Sequence, residues 1–592
     1  HYDGQTFDLS FGHTIRPWLA PLSASEPSPF GPVPEGWRIS EVQDAKAKAL
    51  ANAAGDSDHA PTVTCELDSD GFEERLVPFP VASGRYRSLA AVKDGVVWIE
   101  EADRGGELGA ARAGVTGEAP ADALVHYGFA SRRIERIVEA VDTFAVSGDG
   151  ERLIVRHKDE VSVVPSDHKV DAEDPAHVAV DLTRLRRRIT PRDEWRQMFD
   201  ENGRLMATHY WRDDMNGVDW EAVLRRYRPL VDRIHSVDDL YDILWETVGE
   251  LNTSHSYVSP AGLDGDPSLR AGLLGADYGV PTDDGVPIVR VVPGESSDPL
   301  AWSPLRAAGV AVRDGDVIVA VDGNKLGHDL SLGEALEGSA GHTVELTVRT
   351  GDQMRRVAVV PMADEAPLRY HDWVASRRRY VEERSGGRLG YLHVPDMVSN
   401  GWAELHRQIV EATRHEGVVA DVRFNHGGHT SQLVVERLSR QVLGWDFGKW
   451  YDTPATYPQN AVRGPIVMVT NQWAGSDGDI VSAVTQAMGY APIVGERSWG
   501  GVVGIDGRFD LVDGTEVTQP RYAGWYGDYG WGVENHGVDP DITVTVRPED
   551  WESDRDVQLD AAIDYCIAQL GERPAAIPPA MPPAAFGGPV EE

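Results

Sequence analysis

Over the first 180 positions apolar and polar residues alternate in short runs. LAAVKDGVVWIEE at 89–101 and FAVSGDGERLIVRHKDEVSVV at 144–164 set Lys-Asp-Gly and Gly-Asp-Gly between alternating segments. Such turn residues tolerate the left-handed backbone that tight hairpins require. Their recurrence predicts blade-like sheets. At about 40 residues a blade, three or four fit, fewer than most closed rings use, so residues 1–180 are expected to form a partial β-propeller. Residues 22–61 are rich in Pro, Ser, Ala and Asp and predict a long loop.

Beyond 180 the period lengthens. ITPRDEWRQMFDENGRLMATHYW and SVDDLYDILWETVGEL read as helices of a helical subdomain over 181–261. Ser236 and Asp239 have capping-box spacing, and Leu240, Leu244, Val248 and Leu251 form one stripe. From 386 onward, strands and helices alternate: RLGYLHV, a helix near 402–415, GVVADVRF, a helix near 430–442, PIVMVT, a helix after Ser476, PIVGE, and a closing helix near 556–570. That order predicts an α/β catalytic domain over 363–572, followed by a flexible Pro-rich tail at 573–592. In between, AGLLGADYGV, SPLRAAGVAVRDGDVIVAVDGNKL and HTVELTVRT resemble a PDZ domain, over 262–362. The resemblance implies that the loop Gly272, Leu273, Leu274 and Gly275 offers amides to a peptide carboxylate, while the adjoining strand edge accepts the peptide. A PDZ fold serving only as a spacer is the plainer alternative. The fold class is thus multidomain, β and α/β.

Composition narrows the function. The chain has 592 residues, 41% hydrophobic and 26% charged, the balance of a soluble globular protein too long for one core. The formal charge of 56 − 95 = −39 repels nucleic acid and anionic membrane, so neither is an expected partner. Cys65 and Cys566 lie far apart without metal-type spacing, which points to a reducing, cytoplasmic setting. No apolar stretch approaches the ~20 residues that span a bilayer. The opening HYDGQTFDLSF has neither an initiator methionine nor a signal-peptide pattern and reads as the start of a fragment.

Candidate chemistry centres on NQWAGSDGDI at 471–480, where a strand hands over to a helix. Ser476 either caps that helix or acts as a nucleophile beside free N–H groups at the helix's positive end. Candidate bases are His255, at the end of a helix, and His426, His429 and His536, in Gly-rich turns. Each also has a structural reading. His426 and His429 form His-x-x-His without an evident third ligand and not on a helix face, so a zinc site is not expected.

The ordered series ELNTSHSYV, an inserted PDZ-like unit, DVRFNHGGHTSQ, AGSDGD, GERSWGGVVGI and ENHGVDPDI resembles the tricorn proteases, within the wider group of C-terminal processing peptidases. The likeness covers about residues 180–570. It implies a cytosolic serine endopeptidase acting through an acyl-enzyme on unfolded oligopeptides such as proteasome products, without cofactor, assembled as a homo-oligomeric hexamer. Carried over residue by residue, it implies Ser476 as nucleophile and His255 as general base. Ser254 would hydrogen-bond the imidazole and Glu534 would hold Ser254. Oxyanion donors would be the N–H groups of Asp477 and Gly428, with Gly427 the alternative. Asp446 would favour basic residues before the cleaved bond. Many relatives of the wider group use a Ser–Lys dyad, but Gly501 stands at the lysine's place and no lysine follows Ser476. Two other readings stay open: an α/β-hydrolase esterase using Ser476 and His536, and a non-catalytic peptide-binding protein.

Overall fold

The computed structural model describes residues 5–6, 9–10, 15–23, 30, 67–102, 120–262, 265–295, 298, 300–506, 509–553 and 555–581. Cys65, most of the Pro-rich 22–61 stretch, most of the amino-terminal segment and tail residues 582–592 lie outside them. The chain divides into two compact units, one within 1–188 and one formed chiefly by 189–592.

Among the described residues of the first unit stand two four-stranded antiparallel sheets. One runs in order through Tyr86–Val92, Gly95–Glu100, Ala123–Gly128 and Arg133–Val138. The other comprises Thr143–Val146, Arg152–His157, Glu160–Pro165 and Val178–Val180. The Lys-Asp-Gly hairpin turns at Asp94 with φ 62°, the left-handed geometry its composition predicts. Val97, Ile99 and Leu124 of one sheet share a core with Leu153, Val155 and Val164 of the other.

The second unit begins with three helices, Pro191–His209, Trp220–Val231 and Val237–Gly249. Ser236 and Asp239 form the expected reciprocal capping box, and Leu240, Leu244, Val248 and Leu251 are fully buried. The PDZ-like part is a six-stranded antiparallel sheet around Val286–Val291, Val317–Val321, Val344–Thr350 and Gln353–Val359.

The α/β part is a parallel sheet in the order Leu389–His393, Gly417–Asp421, Ile466–Thr470, Ile493–Gly495, Ile542–Thr543. Its strands read as unbroken apolar runs because both faces are covered. Val418, Ala420 and Met468 point toward helices Ser399–Ala412, Ser431–Leu438 and Asp477–Met488. Val419, Val467 and Val469 point toward Ala366–Ser385 and Val557–Glu572, where Cys566 is a buried core thiol whose pKa burial pushes up to about 12. No helix among the described residues is long and apolar enough to cross a membrane.

Beyond the end of Gly417–Asp421, the Arg423 guanidinium is 5% exposed and lies between Asp421 (2.7 Å) and Asp556 (2.9 Å). This clamp ties the strand end to the start of the closing helix, and the loop that follows leads into the candidate site. Replacing Arg423 by Met strands two buried carboxylates. A loss of about 3–5 kcal/mol is expected, read as a lowered midpoint of chemical denaturation; an unchanged midpoint would remove the clamp from the account.

Candidate active site

Ser476 occupies the N-cap position of helix Asp477–Met488 but makes no side-chain cap hydrogen bond. Its backbone lies at φ 57°, ψ −119°, a region that non-glycine residues rarely enter and that surrounding contacts must hold. Three interactions supply that hold. Gly475 N–H donates to the Asn425 carbonyl at 3.0 Å, and Trp499 N–H donates to the Ala474 carbonyl at 2.9 Å. The buried Asp479 carboxylate accepts the N–H groups of Gly500 (2.8 Å) and Gly501 (3.1 Å), drawing the 498–501 loop against the helix. Burial raises the pKa of Asp479, against the hydrogen bonds it accepts from Ser498, Gly500 and Gly501. The neighbouring Asp477 carboxylate, also raised by burial, receives Ser431 N–H at 2.8 Å and so fixes the start of helix Ser431–Leu438. The first amides of the helix turn instead to backbone carbonyls, Gly478 N–H to Gly475 at 2.8 Å and Asp479 N–H to Ser476 at 2.9 Å, so the Ser476 hydroxyl is not drawn into capping.

On the opposite side stands His255, 9% exposed and itself at φ 59°. Ser254 Oγ lies 3.0 Å from His255 Nδ1 and donates to Glu534 Oε2 at 3.0 Å, while Ser254 N–H donates to Glu534 Oε1 at 2.7 Å across 280 positions of chain. The proton count fixes the tautomer. An ionised carboxylate only accepts, so the single hydroxyl proton of Ser254 goes to Glu534. Its oxygen then accepts from Nδ1–H, and Nε2 carries the lone pair. Burial lowers the His255 pKa, and the nearby Glu534 charge and the Val503 backbone work against that shift. The ring meets Trp499 edge-on at 5.4 Å.

His255 and Ser476 line one cavity of about 830 Å3, together with His426, Gly428 and His429 and the aromatic walls Trp473, Trp499, Tyr522 and Tyr526. Among the described residues no carboxylate lines it.

The FNHGGHT loop passes close to the nucleophile position. A Cβ on Gly427, at φ 76°, would lie 2.5 Å from the Ser476 Cβ, so only glycine permits this approach. The two oxyanion candidates are not equivalent. Gly427 N–H donates to Asn425 Oδ1 at 2.8 Å and is thereby spent, which corrects its standing as an alternative donor. Gly428 N–H and Asp477 N–H find no protein acceptor among the described residues. Asn425, fully buried, also donates from Nδ2 to the Val394 carbonyl at 2.8 Å. It was missed in the sequence, although Asn-His-Gly has the spacing of an Asx turn. Also missed were Val502 and Val503, whose N–H groups donate to Glu534 Oε2 at 2.7 and 3.0 Å, and Asp479.

Other candidates fall elsewhere. His536 is exposed, bonded to Asp539 at 2.8 Å, and does not line the cavity. The base required by the hydrolase alternative is therefore not at hand. Asp446 sits on the hairpin of Gly444–Asp446 and Ala455–Tyr457, outside the cavity lining. No group of three or more metal-type side chains occurs among the described residues. In the PDZ-like loop, Gly272 N–H donates to the Leu336 carbonyl, Leu273 N–H to the Met362 carbonyl, and Gly275 N–H to Glu365 Oε1 at 2.6 Å. Three of its four amides are thus engaged internally.

The sequence matches the tricorn protease C1 domain over residues 191–249, the tricorn protease PDZ domain over 272–364 and peptidase family S41 over 388–544. It is 52% identical to tricorn protease homolog 1 of Streptomyces coelicolor, over 98% of this chain and 54% of that protein. Against the tricorn protease of Thermoplasma acidophilum it is 32% identical, over 96% of this chain and 50% of the relative. The crystal structure of the tricorn protease superposes with a TM-score of 0.81 at 30% identity, covering 95% of this chain and 52% of that one. The chain therefore spans about half the length of these relatives. It belongs to the tricorn protease family of serine-type peptidases, and its matched part carries the PDZ and S41 domains.

Proposed function

We propose that this chain is a serine endopeptidase that cleaves unfolded oligopeptides through an acyl-enzyme, with Ser476 as nucleophile. The observation that carries the reading is the Glu534, Ser254, His255 relay facing an uncapped serine at a helix mouth within one cavity. Ser476 Oγ attacks the scissile carbonyl carbon as His255 Nε2 takes its proton. The N–H groups of Asp477 and Gly428 stabilise the oxyanion. The carbon–nitrogen bond breaks with return of that proton to the leaving amine, and water, activated by the same imidazole, releases the acyl group. Glu534 and Ser254 act as positioning residues, since they reach the reacting atoms only through the ring. Membership of the tricorn family supports a homo-oligomer of hexameric order, and the two cysteines among 592 residues support a reducing, cytoplasmic setting.

The cavity bears on substrate choice. Its walls are aromatic and carry no carboxylate among the described residues, which favours an apolar side chain before the cleaved bond, whereas the basic preference inferred from Asp446 has no support in that lining. Peptidyl coumarins with Phe or Leu at that position are expected to exceed Arg or Lys analogues in kcat/KM by about tenfold or more. The reverse order would return Asp446 to the account.

A fluorophosphonate is expected to label Ser476, with labelling lost in Ser476→Ala, slowed by about three to four orders of magnitude in His255→Ala, and unchanged in His536→Ala. Selective loss in the last variant would favour the hydrolase reading. The base works only when neutral, and burial depresses the His255 pKa from 6.5. The acid limb of kcat/KM should therefore lie below that value. Glu534→Gln removes a charge that raises the pKa, so in this variant the limb should move lower still; an upward shift would contradict the assigned relay.

A further inference from the structure

A second cavity, of about 380 Å3, adjoins the first: both are lined by Gln472 and Trp473, the residues between strand Ile466–Thr470 and the nucleophile. It opens at the carboxyl ends of the parallel strands, since Phe424 lies beyond Gly417–Asp421, Asn471 follows Ile466–Thr470, Glu496 follows Ile493–Gly495 and Val546 lies beyond Ile542–Thr543. That is where ligands of parallel sheets gather.

Its charges are unevenly satisfied. Arg377 and Arg423 are held by Asp556 at 3.2 and 2.9 Å, and Arg555 by Asp560 at 3.2 Å. Asp550 accepts the backbone N–H of Arg547 at 2.9 Å. Glu496, partly buried, has no side-chain hydrogen bond or ion pair among the described residues. Burial raises its pKa. Around it stand rings that a folded chain gains nothing by exposing: Trp551 is 76% exposed, Trp473 64% and Phe424 38%. An unpaired carboxylate among aromatic faces suits an ammonium or guanidinium group, which gains from both.

We propose that Glu496, with Trp473, Trp551 and Phe424, forms a substrate subsite distinct from the Ser476 cavity that accepts a cationic group of the bound peptide, either a basic side chain or the amino terminus. Trp473 is the partition, so the peptide passes over its indole from one chamber to the other. The inference rests on the peptidase reading for its substrate but not for its test.

The test is equilibrium binding to chains carrying Ser476→Ala, with peptides labelled by fluorescein at the carboxyl end. One lysine is walked along a neutral sequence and compared with norleucine at each place, with the amino terminus free or acetylated. At one position lysine should bind about three- to tenfold tighter than norleucine. If the amino terminus is the occupant, free peptides should bind tighter than acetylated ones and the lysine walk should be flat. Either preference should vanish on adding Glu496→Gln and shrink on adding Trp551→Ala, whose ring is exposed and contributes little to folding. Equal affinities across all these pairs, or a preference that survives Glu496→Gln, would overturn the proposal. Because no turnover is needed, failure of Ser476 to react with a phosphonate would sink the peptidase reading and leave this result legible.

Discussion

Four donors converge on one carboxylate in this protein: the N–H and Oγ–H of Ser254 and the N–H groups of Val502 and Val503 all meet Glu534. These groups belong to three stretches of chain, one from the helical subdomain and two from the loops after strand Ile493–Gly495. Charge-assisted bonds of this kind are roughly twice as strong as neutral ones. They set where the imidazole stands, which of its nitrogens carries the lone pair, and how the 501–504 loop closes beside it. Thr518 strengthens the same junction from below, its Oγ1 bonded to the His255 carbonyl and to Tyr257 N–H.

The serine side of the cavity is built on another principle. Ser476 is held in a costly backbone conformation, and the helix that follows it is secured by buried aspartates pointing away from the hydroxyl. Strain of about 1–3 kcal/mol persists only where neighbours over-determine it. Here Asn425, Trp499 and the parallel sheet beneath do so. The arrangement keeps the hydroxyl uncommitted while the amides beside it stay open. The PDZ-like unit contributes through packing: Glu365 bonds Gly275 N–H, and Arg369 bonds the Ala276 carbonyl. These contacts tie its first strand to helix Ala366–Ser385, which itself covers one face of the catalytic sheet.

Local patterns were sufficient for much of this. The capping box at Ser236 and Asp239, the stripe ending at Leu251, the turn at Asp94 and the apolar runs of the parallel sheet all follow from interactions within a few residues, where spacing alone decides geometry. The Asx turn at Asn425 is equally local, its side-chain acceptor two positions from the Gly427 N–H. Hairpin recurrence, by contrast, reports strands but says nothing of how many sheets they make.

What the sequence determined by itself was therefore the order of elements, the serine at a strand-to-helix junction and, through its ordered motifs, the family. What only the tertiary structure decided was which groups were already spent. Gly427 loses its N–H to Asn425, His536 is taken by Asp539, and Asp446 lies on a hairpin outside the cavity lining. The reason is physical: a hydrogen-bonding group is available for chemistry only if no other partner has claimed it, and those partners are set by how distant segments come together in space.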